Sequence, residues 1–143
     1  MIQRHAIQNE KMMLVTTNTF NREPIFANDV YAREAIECLY RVKQLHPFFL
    51  YGFVIMPDHC HFLLYVPEPQ AISKIMNSFK SGLIFDLGLR KRIWQPRFHI
   101  EIVEDPKVAL NYIHNNPVKE DMVGSPKEYP WSSASGKWDV ENL

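Results

Sequence analysis

Two apolar runs, YGFVI at 51–55 and FLLYV at 62–66, are separated only by the six residues MPDHCH. Both runs are rich in β-branched and aromatic residues, and they read as neighbouring strands of a hairpin or meander, around 48–56 and 59–66, joined through Pro57-Asp58. Side chains alternate faces along a strand, so His59 and His61 project together to one side and Cys60 to the other. Two imidazoles side by side on a rigid strand point to a metal site. A histidine on a half-buried strand is more often a packed or solvent-facing residue, so a third ligand has to come from elsewhere in the chain.

The flanking pattern places this pair inside a larger order. MMLVTTNTF (12–20) reads as a first strand that ends at the turn-prone NREP. Asn28-Asp29 can cap a helix running to about Leu45, with Val30, Ala35, Ile36, Leu39 and Val42 as its apolar stripe and Pro47 closing it. A second amphipathic helix has Ser73 in its first turn, Ile75, Met76, Phe79, Leu83 and Ile84 facing inward, and Gly88 near its end. IWQPRFHIEIV (93–103) is a fourth strand, broken or at a sheet edge because of Pro96. DPKVALNYIHNN then starts a short helix, with Asp105 as N-cap, Pro106 at the first helical position and Pro117 as its stop. The order is β-α-β-β-α-β followed by a helix. It predicts an α+β, ferredoxin-like split βαβ fold: an antiparallel sheet with helices on one face, plus the C-terminal helix. Residues 1–143 fit a single domain, and the turn-rich segment from about 124 to 143 reads as a tail packed over or beside it.

Composition narrows the setting. The chain has 143 residues, 46% of them hydrophobic and 13% aromatic, which is ample for one core. No run reaches the length needed to span a bilayer, and MIQRHAIQNEK lacks the apolar segment of a signal peptide, so a cytoplasmic protein with no membrane partner is expected. Cys38 and Cys60 fall in a helix and a strand, outside any C-x-x-C spacing, and read as packing thiols. Net charge is zero, but its distribution is uneven: Lys74, Lys80, Arg90, Lys91, Arg92 and Arg97 lie between Ser73 and His99 with Asp86 as the one acidic residue. Such a segment can present a basic face to a polyanion, or serve as ordinary solvated surface.

In the last helix Tyr112 and Asn116 are four residues apart and share a face, while Ala109, Leu110 and Ile113 point to another and can anchor it. Two neutral imidazoles and an amide oxygen can hold one divalent cation and leave positions for phosphate oxygens and water. A phenol, with a reference pKa near 10, is a poor nucleophile at neutral pH and needs a nearby cation and a polarised electrophile. His99 is a further candidate near such a site. Ile113 and His114 turn away from the Tyr112 face, which leaves His114 outside the metal shell.

At these residues the chain resembles a known family. MPDHCHFLL is similar to the histidine-hydrophobe-histidine motif of HUH single-strand endonucleases, and NYIHNNPVKEDMV resembles the tyrosine-helix motif of their single-tyrosine transposases. TTNTFNREPIF, SKIMNSFKS, IWQPRFH and YPWSSA extend the similarity in order along most of the chain, nearest to the REP-associated tyrosine transposases. The resemblance implies a ferredoxin-like core and a metal-dependent strand transferase acting on single-stranded DNA with hairpin structure. It implies His59 and His61 as the metal pair, Asn116 as the residue completing the shell, Tyr112 as the nucleophile that forms a 5′-phosphotyrosine link, and Mg²⁺ or Mn²⁺ as cofactor. Relatives include dimers that exchange tyrosine helices, so a homodimer is possible. The phosphotyrosine keeps the energy of the broken bond, so no nucleotide site is required, and no Gly-rich phosphate loop is present. The basic segment then gains a role: Lys80, Arg90, Lys91, Arg92 and Arg97 as contacts to the DNA backbone, and Trp94, Phe98 or Trp131 as stacking platforms for unpaired bases, although an aromatic of this kind is more often a core residue. Two other readings stand beside this one. One is a non-catalytic DNA hairpin-binding protein derived from a transposase; the other is a metal-dependent phosphodiester hydrolase in which Tyr112 is only structural.

Overall fold

The computed structural model describes residues 5–143; of the N-terminal stretch read above as lacking a signal sequence, residues 1–4 lie outside it. Four strands, β1 (Met12–Thr19), β2 (Phe49–Met56), β3 (His59–Tyr65) and β4 (Trp94–Ile102), form one antiparallel sheet in the order β2-β3-β1-β4. Helix α1 (Asp29–Leu45) connects β1 to β2, and α2 (Ile72–Leu87) connects β3 to β4. Each connection therefore skips one strand, which is the split βαβ arrangement of an α+β ferredoxin-like fold. Met56 pairs with His59, so Pro57-Asp58 is a two-residue hairpin turn, and the register of β3 follows from it.

The two faces of the sheet carry different cores. Val15, Phe53, Ile55, Cys60, Phe62 and Leu64 point toward α1 and α2 and meet Ile36, Leu39, Ile75, Met76 and Phe79. Leu14, Val54, Met56 and Leu63 point the other way and are covered by Ile113 and Tyr129. A third helix, α3 (Pro106–Lys119), therefore lies alone on the face opposite α1 and α2. Burying each large apolar side chain contributes about 1.5–3 kcal/mol relative to exposure, so both faces are driven by the same force but by unequal amounts of surface.

Local chemistry sets the helix ends. The Asn28 side chain accepts from the Val30 and Tyr31 amides at the start of α1, Gly88 takes a left-handed conformation (φ 63°) after α2, and Asp105 accepts from the Lys107 and Val108 amides at the start of α3. Two expectations are corrected. Val30 is 66% exposed rather than part of the α1 stripe, because it sits in the first turn beyond the edge of the sheet's core. Pro117 does not stop α3: the helix runs to Lys119, since a proline near the end removes a single amide donor and the last turn closes around it. Asp121 (φ 58°) then supplies the left-handed residue, with Asp121 N donating to Val118 O (3.0 Å) and Met122 N to Pro117 O (2.9 Å).

Gly52 fixes how closely α3 can approach β2. A Cβ at this position would overlap Leu110 Cδ1 and come within 3.4 Å of Ile113 Cδ1. Gly52→Val is therefore expected to lift the helix and cost about 1–3 kcal/mol, read as a lowered urea midpoint at unchanged m-value. A midpoint equal to wild type would show that α3 does not pack at this distance.

The C-terminal segment runs along the outer edge of β2. Ile55 N donates to Trp131 O (2.8 Å), Ser132 bridges Val54, Tyr129 Oη donates to Ile55 O (2.7 Å), and Glu141 N donates to Leu50 O (2.8 Å). The Ile55 amide and the Leu50 and Ile55 carbonyls on this edge are thereby paired with the chain's own tail.

Candidate active site

Strand alternation and register bring the histidines to the α3 face. His61 lies in a row with Val54, Thr16 and His99 on the neighbouring strands, and His59 lies opposite Asn18. The two imidazole centroids are 4.8 Å apart and nearly perpendicular, and the Tyr112 ring, reaching over from α3, is 5.7 Å from that of His61. His59, His61, Tyr112 and Asn116 line one open cleft of about 450 Å³, together with Thr16, His99 and the charged Arg22, Lys119 and Glu120. Asn116 is 8% exposed, whereas Tyr112 is 48% exposed, so the amide is held by packing and the phenol is open to an incoming strand.

Each imidazole has one nitrogen committed to an orienting partner. Thr16 Oγ1 and His61 Nδ1 are 2.8 Å apart, and His59 Nδ1 lies 2.7 Å from Asp58 Oδ1. That leaves Nε2 of both rings as the ligand position, the arrangement in which a second residue fixes ring orientation and basicity. Asp58 is itself held by Arg22 Nε at 3.0 Å. Burial works to raise the Asp58 carboxyl, but the hydrogen bonds from His59 and Arg22 outweigh it and hold the group below its ordinary range. Thr16, Asp58 and Arg22 were not singled out from sequence. Thr16 is visible only through strand pairing, whereas the position of Asp58 beside His59 was a usable signal.

Burial, followed by the nearby His59 and Arg22, draws the His61 pKa down to about 4. His61 is therefore neutral at pH 7, the form a metal needs. The same shift makes stability depend on pH. The folded pKa lies below the unfolded value of about 6.5, so between roughly pH 6.5 and 4 the unfolded chain binds more protons and stability falls as the solution is acidified. A fully expressed shift amounts to about 3 kcal/mol lost across that window. His61→Gln is expected to flatten the slope of the unfolding free energy between pH 6.5 and 4; an unaltered slope would contradict a buried neutral His61.

The donor set fits a divalent cation in part on chemistry alone. Among the described residues no group of three His, Cys, Asp or Glu side chains is placed to hold a metal, so a third protein ligand would be the Asn116 amide oxygen. Two imidazoles, an amide and open positions suit a labile cation better than a closed zinc site. Cys60 faces the other core and is 0% exposed. His114 also stays outside, with Nε2 2.7 Å from Ser133 Oγ.

The residues expected to contact DNA are dispersed. Arg90, Lys91, Arg92 and Arg97 are exposed along the α2–β4 connection and β4, and Lys91 pairs with Glu23 at 3.0 Å. Lys80 is half-buried and donates to Gln95 O at 2.7 Å. Trp94 is corrected as a stacking platform: it is 4% exposed, and its ring packs 5.6 Å from Phe26 and 5.7 Å from Phe79, because the strand turns it toward α2. Trp131 lies on the β2 side of the sheet, at the far edge from the basic segment, with the Arg33 guanidinium 5.8 Å from its ring.

A split βαβ sheet whose third strand carries a histidine-hydrophobe-histidine pair, faced by a tyrosine on a helix, has the form of an HUH single-tyrosine transposase. The chain belongs to that class through the family described as "Transposase IS200 like", whose profile matches residues 8–116. It is 33% identical over 97 residues to the REP-associated tyrosine transposase of Escherichia coli K12, covering 65% of this chain and 58% of that protein. A Haemophilus influenzae Rd protein, provisionally classed as a REP-associated tyrosine transposase, is 32% identical over 120 residues, covering 72% of this chain and 68% of its own length. The chain thus spans well under two thirds of the first of these relatives. Among solved structures, a REP-associated tyrosine transposase bound to a REP hairpin superposes with a TM-score of 0.79 at 26% identity, over 99% of this chain and 93% of that one. A Deinococcus radiodurans protein provisionally classed as a transposase matches in fold, with a TM-score of 0.58 at 16% identity, over 85% of this chain and 98% of that one.

Proposed function

We propose that this chain cuts and rejoins single-stranded DNA bearing hairpin structure, with Tyr112 as nucleophile and His59, His61 and Asn116 as the holders of one Mg²⁺ or Mn²⁺ ion. The observation that carries the reading is the single cleft in which a half-exposed tyrosine faces two oriented histidines and a buried asparagine. Membership in a family of DNA-processing enzymes and the likeness to a hairpin-bound relative support it.

When bound, the cation supplies Lewis-acid polarisation of the scissile phosphate. Thr16 and Asp58 hold the imidazoles by Nδ1, which leaves the Nε2 atom of each as the one for a ligand. Lys119 and the Asp58-paired Arg22 line the same cleft, beside Glu120, and are the cations available to a bound phosphodiester there. Tyr112 Oη attacks phosphorus and gives up its proton as the P–O bond to tyrosine forms. The 3′-oxygen leaves and takes up a proton, giving a free 3′-hydroxyl and a 5′-phosphotyrosine. Attack of a 3′-hydroxyl on that linkage reverses the step, with no external energy source required.

No helix among the described residues is long and apolar enough to cross a membrane, and the reading places the protein beside DNA in the cytoplasm. The test is incubation with labelled single-stranded hairpin DNA, with Mg²⁺ or with chelator. A denaturant-resistant protein–DNA adduct that requires the cation is expected. Tight hairpin binding with no adduct in Mg²⁺ or Mn²⁺ would instead favour a binding protein that has lost the chemistry.

A further inference from the structure

Asn18 stands directly opposite His59 in the pairing of β1 with β3, so the two side chains emerge on the same face of the sheet. Its neighbours Thr17 and Thr19 are fully buried on the other side, whereas Asn18 is half-buried and lines the cleft with His59, Tyr112 and Lys119. On its other flank β4 gives it no paired residue, because the register slips where residues 95–97 pass it. The side chain is thus open to whatever enters the cleft.

The amide is held in one orientation. Arg22 Nη1 donates to Asn18 Oδ1 (3.3 Å) while Arg22 Nε donates to Asp58 (3.0 Å), and Asp58 in turn holds His59 Nδ1. A guanidinium has no acceptor, so the oxygen of the Asn18 amide faces Arg22 and the NH2 group turns away from it. That NH2 group makes no hydrogen bond among the described residues and is left for the cleft. Arg22 reaches this place against its backbone preference: Asn21 and Arg22 both take a φ of 54°, a left-handed conformation that a long side chain seldom adopts. The turn is pinned to the β2–β3 hairpin, with Thr19 N donating to Asp58 O (2.9 Å) and Phe26 N to Pro57 O (3.0 Å). Strained backbone persists where its surroundings fix it, and such positions gather at functional sites.

We propose that Asn18 Nδ2 donates a hydrogen bond to a non-bridging oxygen of the scissile phosphate and stabilises it as Tyr112 attacks. The inference rests on the reading of the chain as a tyrosine transferase and adds a substrate contact to it. In phosphoryl transfer the charge of the transition state is spread over the equatorial oxygens, and a donor fixed there beforehand needs no reorganisation when the bond changes. Unlike Lys119 and Arg22, the amide carries no charge, so its hydrogen bond depends neither on protonation nor on salt. Arg22 acts through it as a positioning residue, and the Arg22–Asp58 pair joins the amide and His59 in one frame.

Asn18→Asp and Asn18→Ala separate this contact from a structural role, because aspartate keeps an oxygen for Arg22 and loses only the NH2 group. Single-turnover adduct formation is measured at saturating labelled hairpin DNA with Mg²⁺. The substrates are the ordinary oligonucleotide and the two diastereomers carrying sulfur in place of one non-bridging oxygen at the linkage that the wild type cuts. Both variants are expected to lose about 100-fold in rate, aspartate no less than alanine, while Asn18→Asp unfolds at a temperature no lower than wild type. One sulfur diastereomer should slow the wild type and leave Asn18→Ala no slower than on the ordinary substrate. An Asn18→Asp protein within tenfold of the wild-type rate, or sulfur effects alike in wild type and Asn18→Ala for both diastereomers, overturns the Asn18 assignment alone. A wild type that forms no adduct overturns the transferase reading and this inference together.

Discussion

Replacing Tyr112 by Phe is expected to remove covalent adduct formation by more than about 10⁴-fold while leaving the fold and DNA affinity intact. The side chain is 48% exposed and its ring, which touches His61, is retained, so losing the hydroxyl alters stability by no more than about 0.5 kcal/mol. Any large loss of rate is therefore chemical. The substitution also separates the proposed mechanism from its hydrolytic rival: an enzyme using activated water keeps most of its rate without the phenol, whereas a tyrosine transferase has no other nucleophile in the cleft. Single-turnover cleavage in gels checks this, and a Tyr112→Phe protein that still cuts at a rate within tenfold of wild type would assign the tyrosine a structural role.

The second large effect is expected from His59→Ala, which should weaken Mn²⁺ binding by at least about 100-fold and abolish cleavage. His59 suits the test better than His61. Its side chain is 13% exposed, and when it is removed Asp58 remains paired with Arg22 at 3.0 Å, so no uncompensated charge is left behind. His61→Ala leaves a cavity and strips Thr16 Oγ1 of its partner, and so mixes a folding defect with loss of the ligand. Calorimetric titration of Mn²⁺ into His59→Ala reads the effect directly. Unchanged affinity would mean that the ion is held elsewhere.

Much of the framework was legible before the structure because the signals were periodic or local. The alternation around MPDHCHFLL placed His59 and His61 together and Cys60 in the opposite core, Asn28 and Asp105 announced their helices, and Pro96 marked β4 as an edge. What was missed depends on contacts between residues distant in sequence. Thr16 reaches His61 across 45 positions, and only the pairing of β1 with β3 brings them together. Trp94 follows a basic run and could be read as core or as a stacking platform; its place on the α2 side of β4 decides for the core and buries it against Phe26 and Phe79. Pro117 reads as a stop by propensity, but Met122 N and Asp121 N close the last turn around it, so α3 carries Lys119 to the rim of the cleft. The need for Gly at position 52 became visible only once α3 was seen to lie against β2.

The central claim is that a phosphodiester is transferred to Tyr112, and peptide mapping by mass spectrometry of the protein–DNA adduct tests it most directly. After digestion of protein and DNA, the account predicts that the peptide containing Tyr112 carries a 5′-phosphoryl nucleotide and that the released strand ends in a 3′-hydroxyl. An adduct on any other residue, or cleaved DNA bearing a free 5′-phosphate with unmodified Tyr112 throughout the time course, would contradict it.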